Sequence, residues 1–345
     1  LETSGVSLKH HASTLLATLC RELGPSFAPW MPQVKTLMLR SLRCTIFDSV
    51  KITAAECLSF CLNCVFDEEL IQLADEIIIA LCHAILKEHE FEVRAEMMAA
   101  LATSLDSTLL EIKNPSASTA FKNLDTVVSL IKTQLTNYLS TDLSGEEQSI
   151  ELIKATDCVH VLFRHLRAQF MPSFNTHLLS IYLEILNSRP AYDRQWALCC
   201  YSDVVAYCTP NFAIQLAPSF LPSLQPMITD QDCPNLRQAA AYLVGLLALD
   251  VANAEQEIAK FVVECVPALC QVASSNRSIT NILATENAIS AIAKILSRGL
   301  IDTNSAHYSN LLTQVLDWLP IWADNEECEF VYGFVCDLIQ QHNPI

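Results

Sequence analysis

The chain has 345 residues, about half of them apolar, and its 38 acidic residues outnumber its 21 lysines and arginines, so the formal net charge is −17. Such a charge disfavours direct binding of nucleic-acid phosphates and favours basic protein partners, although an acidic surface also keeps a large apolar protein soluble. No apolar run reaches the ~20 residues of a bilayer-spanning helix, and residues 1–20 do not resemble a signal peptide. We therefore expect neither nucleic-acid binding nor membrane insertion.

An apolar stripe with the spacing of one helix face recurs eight times along the chain. Each stripe advances by three or four residues, which places its side chains on one side of an α-helix. An anchor position precedes each stripe by three residues, and the interval from Arg194 to Arg237 is typical of HEAT-type helical repeats. The stripes begin at Ala12, Ala54, Met97, Leu152, Ala197, Ala240, Ala288 and Val331.

This periodicity predicts an all-α protein, a HEAT-repeat solenoid built as a right-handed superhelical array of antiparallel helix pairs. One continuous array of about eight repeats is expected over residues 1–345, with irregular loops near 111–119 and 140–149. Both ends fall inside helical patterns without the polar capping repeats that solenoids need, so an internal fragment is expected. Four prolines inside first-helix patterns predict kinks or breaks: Pro218, Pro222, Pro226 and Pro267.

The residues that most resemble a chemical site are cysteines. Fifteen cysteines in a chain without a secretory signal favour a reducing compartment. Cys61 and Cys64 form a C-x-x-C pair with Cys57 one turn earlier, but no second pair stands at zinc-finger spacing. Cys57 and Cys61 are also stripe positions, so packing in the core is favoured over a metal or redox site.

Motifs of enzymes and of cofactor sites are missing from the sequence. The histidines have no metal-ligand spacing, the six glycines form no phosphate-binding loop, and no nucleophile motif stands out. We therefore predict that the chain is not an enzyme and holds no cofactor and no metal.

The position just before each stripe is predicted to flank the concave surface of the array, because its residues vary in polarity. Trp196 occupies this position, and Asp203 lies two turns later on the same flank. An aromatic ring and a carboxylate at this spacing can hold a lysine, by stacking on its stem and pairing its ammonium. The alternative is that Trp196 packs between neighbouring repeats.

Further candidate partner-binding residues lie on the same flank or in the acidic segments beside it. They are Glu151, Glu286, Asn287, Glu329 and Phe330. For the acidic ones, the alternative is a solvated acidic face to which no partner binds.

Several segments resemble the importin-beta family of nuclear transport receptors. They are DRQWALC, LRQAAAYLVGLLA, ATENAISAIAKI and the closing LDWLPIWADNEECEFVYGFVCDLIQQHNPI, and the opening LETSGVSLKHHASTLLATLCREL is similar too. The resemblance covers nearly the whole chain and is weak over 111–160, where the long acidic stretch of the family is reduced to STDLSGEEQ. The many cysteines and the segment CCYSDVVAYC also depart from the family pattern and point to a diverged paralogue.

The resemblance implies a receptor that shuttles between cytoplasm and nucleus through the nuclear pore. Its partners would be basic protein cargo on the concave face of the second helices, phenylalanine-glycine repeats of nucleoporins, and Ran-GTP. In the full-length receptor Ran-GTP would be bound mainly through N-terminal repeats that this chain lacks.

We therefore predict a nuclear transport receptor fragment that binds a basic cargo segment on a concave acidic surface. The alternative is a repurposed HEAT-repeat adaptor that docks a helix of one dedicated protein partner. Salt separates the two, because electrostatic recognition weakens with ionic strength and apolar docking changes little.

Overall fold

The computed structural model describes residues 2–44, 46–111, 123–140 and 149–340. In these ranges the regular structure is helical, and they contain no strand. The all-α prediction is therefore confirmed. The loops predicted near 111–119 and 140–149 lie outside the described residues, apart from residues 111, 140 and 149.

The chain divides into two compact units, Leu1–Ile181 and Tyr182–Ile345. The division falls within helix α9 (Leu179–Ser188). Each unit is built from helix pairs, in which a first helix is followed by a second helix that carries the apolar stripe. The single continuous array over 1–345 stays a prediction.

In the first unit, four second helices pack side by side in chain order. They are α1 (Glu2–Leu23), α3 (Asp48–Cys61), α5 (Phe91–Glu111) and α7 (Ser149–Leu166). The first helices between and after them are α2 (Met31–Ser41), α4 (Asp67–Lys87), α6 (Leu124–Ser140) and the short α8 (Met171–His177).

The second unit repeats this arrangement. Its second helices are α10 (Ala191–Tyr207), α12 (Pro234–Asp250), α15 (Ile282–Ser297) and α17 (Asn325–Gln340), and consecutive members pack on one another. The first helices are α11 (Pro210–Ile228), the pair α13 (Gln256–Glu264) and α14 (Val266–Ala273), and α16 (Ala306–Asp317).

The predicted stripes form the core of both units. In α3, α5, α7, α10, α12, α15 and α17 the first three stripe positions are all buried. The prediction was wrong for α1, where Ala12 and Leu15 are exposed and the buried positions are Ser13, Ala17 and Cys20. The face that α1 turns toward α3 is therefore the one that carries Ser13, Ala17 and Cys20.

Proline has different effects in two first helices. At Pro267 the expected break is present, because α13 ends at Glu264 and α14 begins at Val266. In contrast, α11 runs unbroken through Pro218, Pro222 and Pro226. These three prolines are four residues apart and all exposed, so the carbonyls that lose a helical donor face solvent.

No helix in the described part of the chain combines the length and the apolar character needed to cross a membrane.

Candidate partner-binding surface

Two of the anchor residues, Arg94 and Arg237, join neighbouring repeats. Arg94, at the start of α5, donates to the carbonyl oxygens of Glu88 and His89 in the preceding turn, at 3.0 and 2.7 Å. Its Nε also donates to Glu151 on α7 at 2.6 Å. Glu151, predicted as a partner contact, is thus half-buried and paired within the first unit. Arg237 does the same in the second unit, where it donates to Asp230 O and to Asn281 Oδ1.

Trp196 lies on α10 with part of its ring accessible to solvent and its indole nitrogen enclosed. The indole N–H has no hydrogen-bond acceptor among the described residues. Asp203, two turns further along α10, keeps 8% of its surface exposed. Trp196 is therefore half-buried, and its two alternative roles, contact with a partner and packing between repeats, stay predictions.

Tyr242 on α12 lies close enough to α10 and α17 for carboxylates of both helices to change its pKa. Burial raises the pKa of the Tyr242 hydroxyl well above its usual range, and the charges of Glu327, Glu326 and Asp203 raise it further. The second helices of this unit thus bring aromatic and acidic groups from three separate stretches of sequence into one neighbourhood. Sequence reasoning missed Tyr242, although its place in the stripe helix two residues after Ala240 was visible.

Lys294 of α15 occupies a closed cage in this neighbourhood. Its ammonium donates to both carboxylate oxygens of Glu327, at 2.9 and 2.6 Å, and each partner side chain is only 5% exposed. The ring centroids of Tyr242 and Phe330 lie 5.6 and 5.5 Å from the same nitrogen. Aromatic faces and a carboxylate around an ammonium are the arrangement predicted for a bound partner lysine, but here the chain's own lysine fills it.

Glu286, predicted as a partner contact, is fully buried. Its carboxylate accepts hydrogen bonds from the backbone N–H groups of Trp322, Ala323 and Asp324, at 2.8 to 2.9 Å. Asn287 is 1% exposed and donates to Asp324 Oδ2 at 2.9 Å. Both side chains hold the segment that leads into α17 and are not on the surface. Every residue of α15 from Ala284 to Leu296 is buried, and the mostly apolar sequence of this helix could have indicated that it lies inside the unit.

The acidic groups that remain at the surface of α17 are fewer than the sequence suggested. Glu327 is buried against Lys294, while Glu326 and Glu329 are exposed. Phe330, the other predicted contact on this helix, is half-buried beside Lys294. The acidic character available to a partner in the second unit therefore includes Glu326 and Glu329.

Three cysteines of the first unit meet in the core. The sulfurs of Cys20, Cys57 and Cys61 all lie within 4.8 Å of one another, and all three side chains are fully buried. A soft metal ion could be held by such thiolates. However, the pKa of the Cys57 thiol is raised well above its usual range by hydrogen bonding to Cys20 and by burial, which disfavours the thiolate. This arrangement agrees with packing cysteines.

Comparisons with known proteins give a curated relative and several solved structures. No family model matches the chain. Over 158 residues it is 27% identical to the importin subunit beta-3 of Saccharomyces cerevisiae (strain ATCC 204508 / S288c), a match that covers 44% of this chain and 13% of that protein.

Solved structures match along almost the whole length. Kap121p bound to Pho4p superimposes with a TM-score of 0.81 and 21% identity over 99% of this chain. Kap121p bound to RanGTP gives 0.81 and 21% over 98%, and Kap121p bound to Nup53p gives 0.79 and 21% over 97%. The chain has the HEAT-repeat fold of the karyopherins. It spans 32% of the length of each of these structures.

Proposed function

We propose that the chain is a cargo-binding part of an importin-beta family receptor similar to importin-5, and that it binds a basic protein segment on the second helices of its second unit. It would act in nuclear import, passing between cytoplasm and nucleus. The observation that carries the proposal is the acidic neighbourhood of Tyr242, which Asp203 of α10 and Glu326 of α17 share, together with the half-buried Trp196 on α10. Solved karyopherins of the same fold include complexes with the proteins Pho4p and Nup53p, which supports it.

In this proposal the surface acids attract the basic segment, and local contacts then hold it. Glu326 and Glu329 are exposed and raise the local concentration of a cationic partner. A lysine stem then stacks on the accessible part of the Trp196 ring while its ammonium approaches Asp203. Nucleoporin repeats and Ran-GTP are proposed partners of the full-length receptor, the latter mainly through repeats outside this chain.

A labelled synthetic peptide of lysines spaced by apolar residues tests the proposal in fluorescence anisotropy. Trp196→Ala should weaken its binding by about 1–2 kcal/mol, the usual loss when an interface anchor is truncated. The matched control is Trp30→Ala, because Trp30 is 54% exposed and belongs to the first unit. Loss of helical circular dichroism in Trp196→Ala with unchanged affinity would show that Trp196 only packs.

The charge contribution needs a separate variant. Glu326→Lys combined with Glu329→Lys should weaken the same peptide, and the difference should shrink as salt rises because exposed charges are screened. The control, Glu68→Lys with Glu69→Lys, changes the charge equally at exposed positions of the first unit. If both double variants lose the same peptide affinity, the effect comes from the overall charge of the chain, which would contradict a local binding site.

The second candidate function is a HEAT-repeat adaptor that docks a helix of one dedicated partner. A groove between α2 and α4 in the first unit favours it, because its floor is formed by apolar residues that include Leu39, Ile79 and Ala80. Binding that depends on this groove alone and is insensitive to Trp196 would favour the adaptor over the import receptor.

A further inference from the structure

A groove of about 910 Å³ opens between α2 and α4 in the first unit. Its apolar lining includes the half-buried Leu39, Ile79 and Ala80 and the buried Leu42 and Met97. This volume lies in the upper part of the ~300–1,000 Å³ range of ligand pockets and exceeds what a single side chain needs. The groove can therefore take a segment with several apolar side chains.

Basic side chains line the rim of this groove, although the chain as a whole is acidic. Arg43, His83, Lys87 and His89 line it and are all exposed. Within the part of the chain that the structure describes, no hydrogen bond or ion pair engages any of these four side chains. The chain has only 21 lysines and arginines against 38 acidic residues, so two unpaired cations at one groove, Arg43 and Lys87, are unexpected.

The two carboxylates of the groove are already neutralised. Glu76 pairs with Lys35 at 2.6 Å. Glu88 pairs with Lys51 and also accepts from the backbone N–H groups of His89 and Glu90, at 2.9 and 3.1 Å. An incoming ligand therefore meets unpaired positive charge and no unpaired negative charge among the described lining residues.

We propose that this groove, defined by Leu39, Ile79 and Ala80 with Arg43, His83 and Lys87 at its rim, docks an acidic amphipathic segment of a partner protein. Aliphatic or aromatic side chains of the segment enter the groove, and flanking carboxylates pair with the rim. Charge complementarity selects this partner, since the basic segments expected at the second unit would be repelled here. The site lies wholly in the first unit and does not depend on the function proposed above.

Part of the rim charge also has a structural use that the test must separate. Lys87 is the last residue of α4, and Arg43 follows the end of α2 by two residues. Cations at helix C-termini stabilise the helix by interacting with its dipole. If that were their whole role, their removal would lower the melting temperature and leave peptide binding unchanged.

The test uses a labelled synthetic peptide with leucines on one helical face and glutamates beside them. We expect Arg43→Glu combined with Lys87→Glu to weaken its binding about tenfold or more, because two attractive contacts become repulsive. The control is Lys9→Glu with Lys132→Glu, which makes the same charge change at exposed positions and should weaken binding about twofold or less. Arg43→Gln with Lys87→Gln serves if the reversed variant does not fold, with a smaller loss in the same direction.

Altered probes decide which chemistry is recognised. A peptide with serine in place of leucine, or with glutamine in place of glutamate, should bind far more weakly than the parent. Equal binding of either peptide would overturn the proposal. So would equal losses in the test and control variants, tight binding of an uncharged phenylalanine-glycine peptide that ignores the charge reversal, or preferential binding of anionic phospholipid vesicles through the same cations.

Discussion

The two units of the molecule use their charged residues differently. The second unit buries whole ionic groups: Lys294 with Glu327, and Glu286 with three backbone N–H groups. The first unit places its pairs at the edges of repeats, where Lys51–Glu88 and Arg94–Glu151 keep roughly a tenth to a fifth of their side chains exposed. Acidic residues therefore form buried interactions in the second unit and partly exposed ion pairs in the first. Only the acidic residues outside these interactions are available to bind a partner.

The largest effect should come from breaking the buried pair of the second unit. Lys294→Met leaves the Glu327 carboxylate buried without its cation, which typically costs about 3–5 kcal/mol of unfolding free energy. The double variant Lys294→Met with Glu327→Met should regain most of this, because a buried ion pair often contributes little more than apolar packing. Urea denaturation followed by circular dichroism measures both, and a single variant as stable as the parent would contradict the cage.

A smaller loss is expected at the buried carboxylate of α15. In Glu286→Gln an amide NH₂ replaces one of two acceptor oxygens that face three backbone N–H groups, so unfolding free energy should fall by about 1.5–3 kcal/mol. Glu326→Gln is the matched control, since Glu326 is exposed and its change should stay within about 0.5 kcal/mol. Similar melting temperatures for the two variants would mean that the hydrogen bonds to Glu286 do not stabilise the fold.

Two glycines of the second unit, Gly245 and Gly333, test how tightly the Lys294 side chain is packed. A Cβ at Gly245 would lie 3.0 Å from Lys294 Cδ, on a side chain held at its far end by Glu327, whereas a Cβ at Gly333 meets nothing within 4 Å. Gly245→Ala should therefore cost about 0.5–2 kcal/mol, as overpacking outweighs the gain in helix propensity. Gly333→Ala should gain about 0.5–1 kcal/mol from propensity alone. Thermal melts compare the pair, and a stabilising Gly245→Ala would show that the lysine stem has room to move.

The smallest effect concerns a peripheral pair of the first unit and depends on pH. Burial by itself would raise the pKa of the Glu88 carboxyl, but the hydrogen bond from Lys51 and those from the backbone outweigh it and lower the pKa below its ordinary value. A carboxyl whose pKa is lower in the folded state stabilises the fold above its unfolded pKa, and that stability is lost as pH falls through the folded value. The stability difference between the parent and Glu88→Gln should thus be present near neutral pH and vanish in acid.

Denaturation at a series of pH values checks this, with Glu90→Gln as control because Glu90 is exposed. A difference that persists unchanged in acid would contradict the role of the charge.

The spacing of apolar residues along the chain was enough to predict the helices and most of the core. Small apolar residues at helical spacing bury wherever a helix has neighbours on both sides, as at Ala54, Leu152 and Ala240. The stripe at Ala12 failed because α1 turns the face with Ser13, Ala17 and Cys20 toward α3, and this rotation of the helix is not encoded by spacing alone.

Which polar residues are internal depends on contacts between distant parts of the folded chain. Lys294 and Glu327 are 33 positions apart, and Glu286 accepts from N–H groups up to 38 positions away, so neither tie can be read from local pattern. A charged side chain is buried when the folded chain brings it a partner, and it stays in water when the fold brings none. For that physical reason Glu286 and Asn287 looked like a binding surface in the sequence and are buried in the fold, while Glu151 pairs with Arg94 at the edge of a repeat.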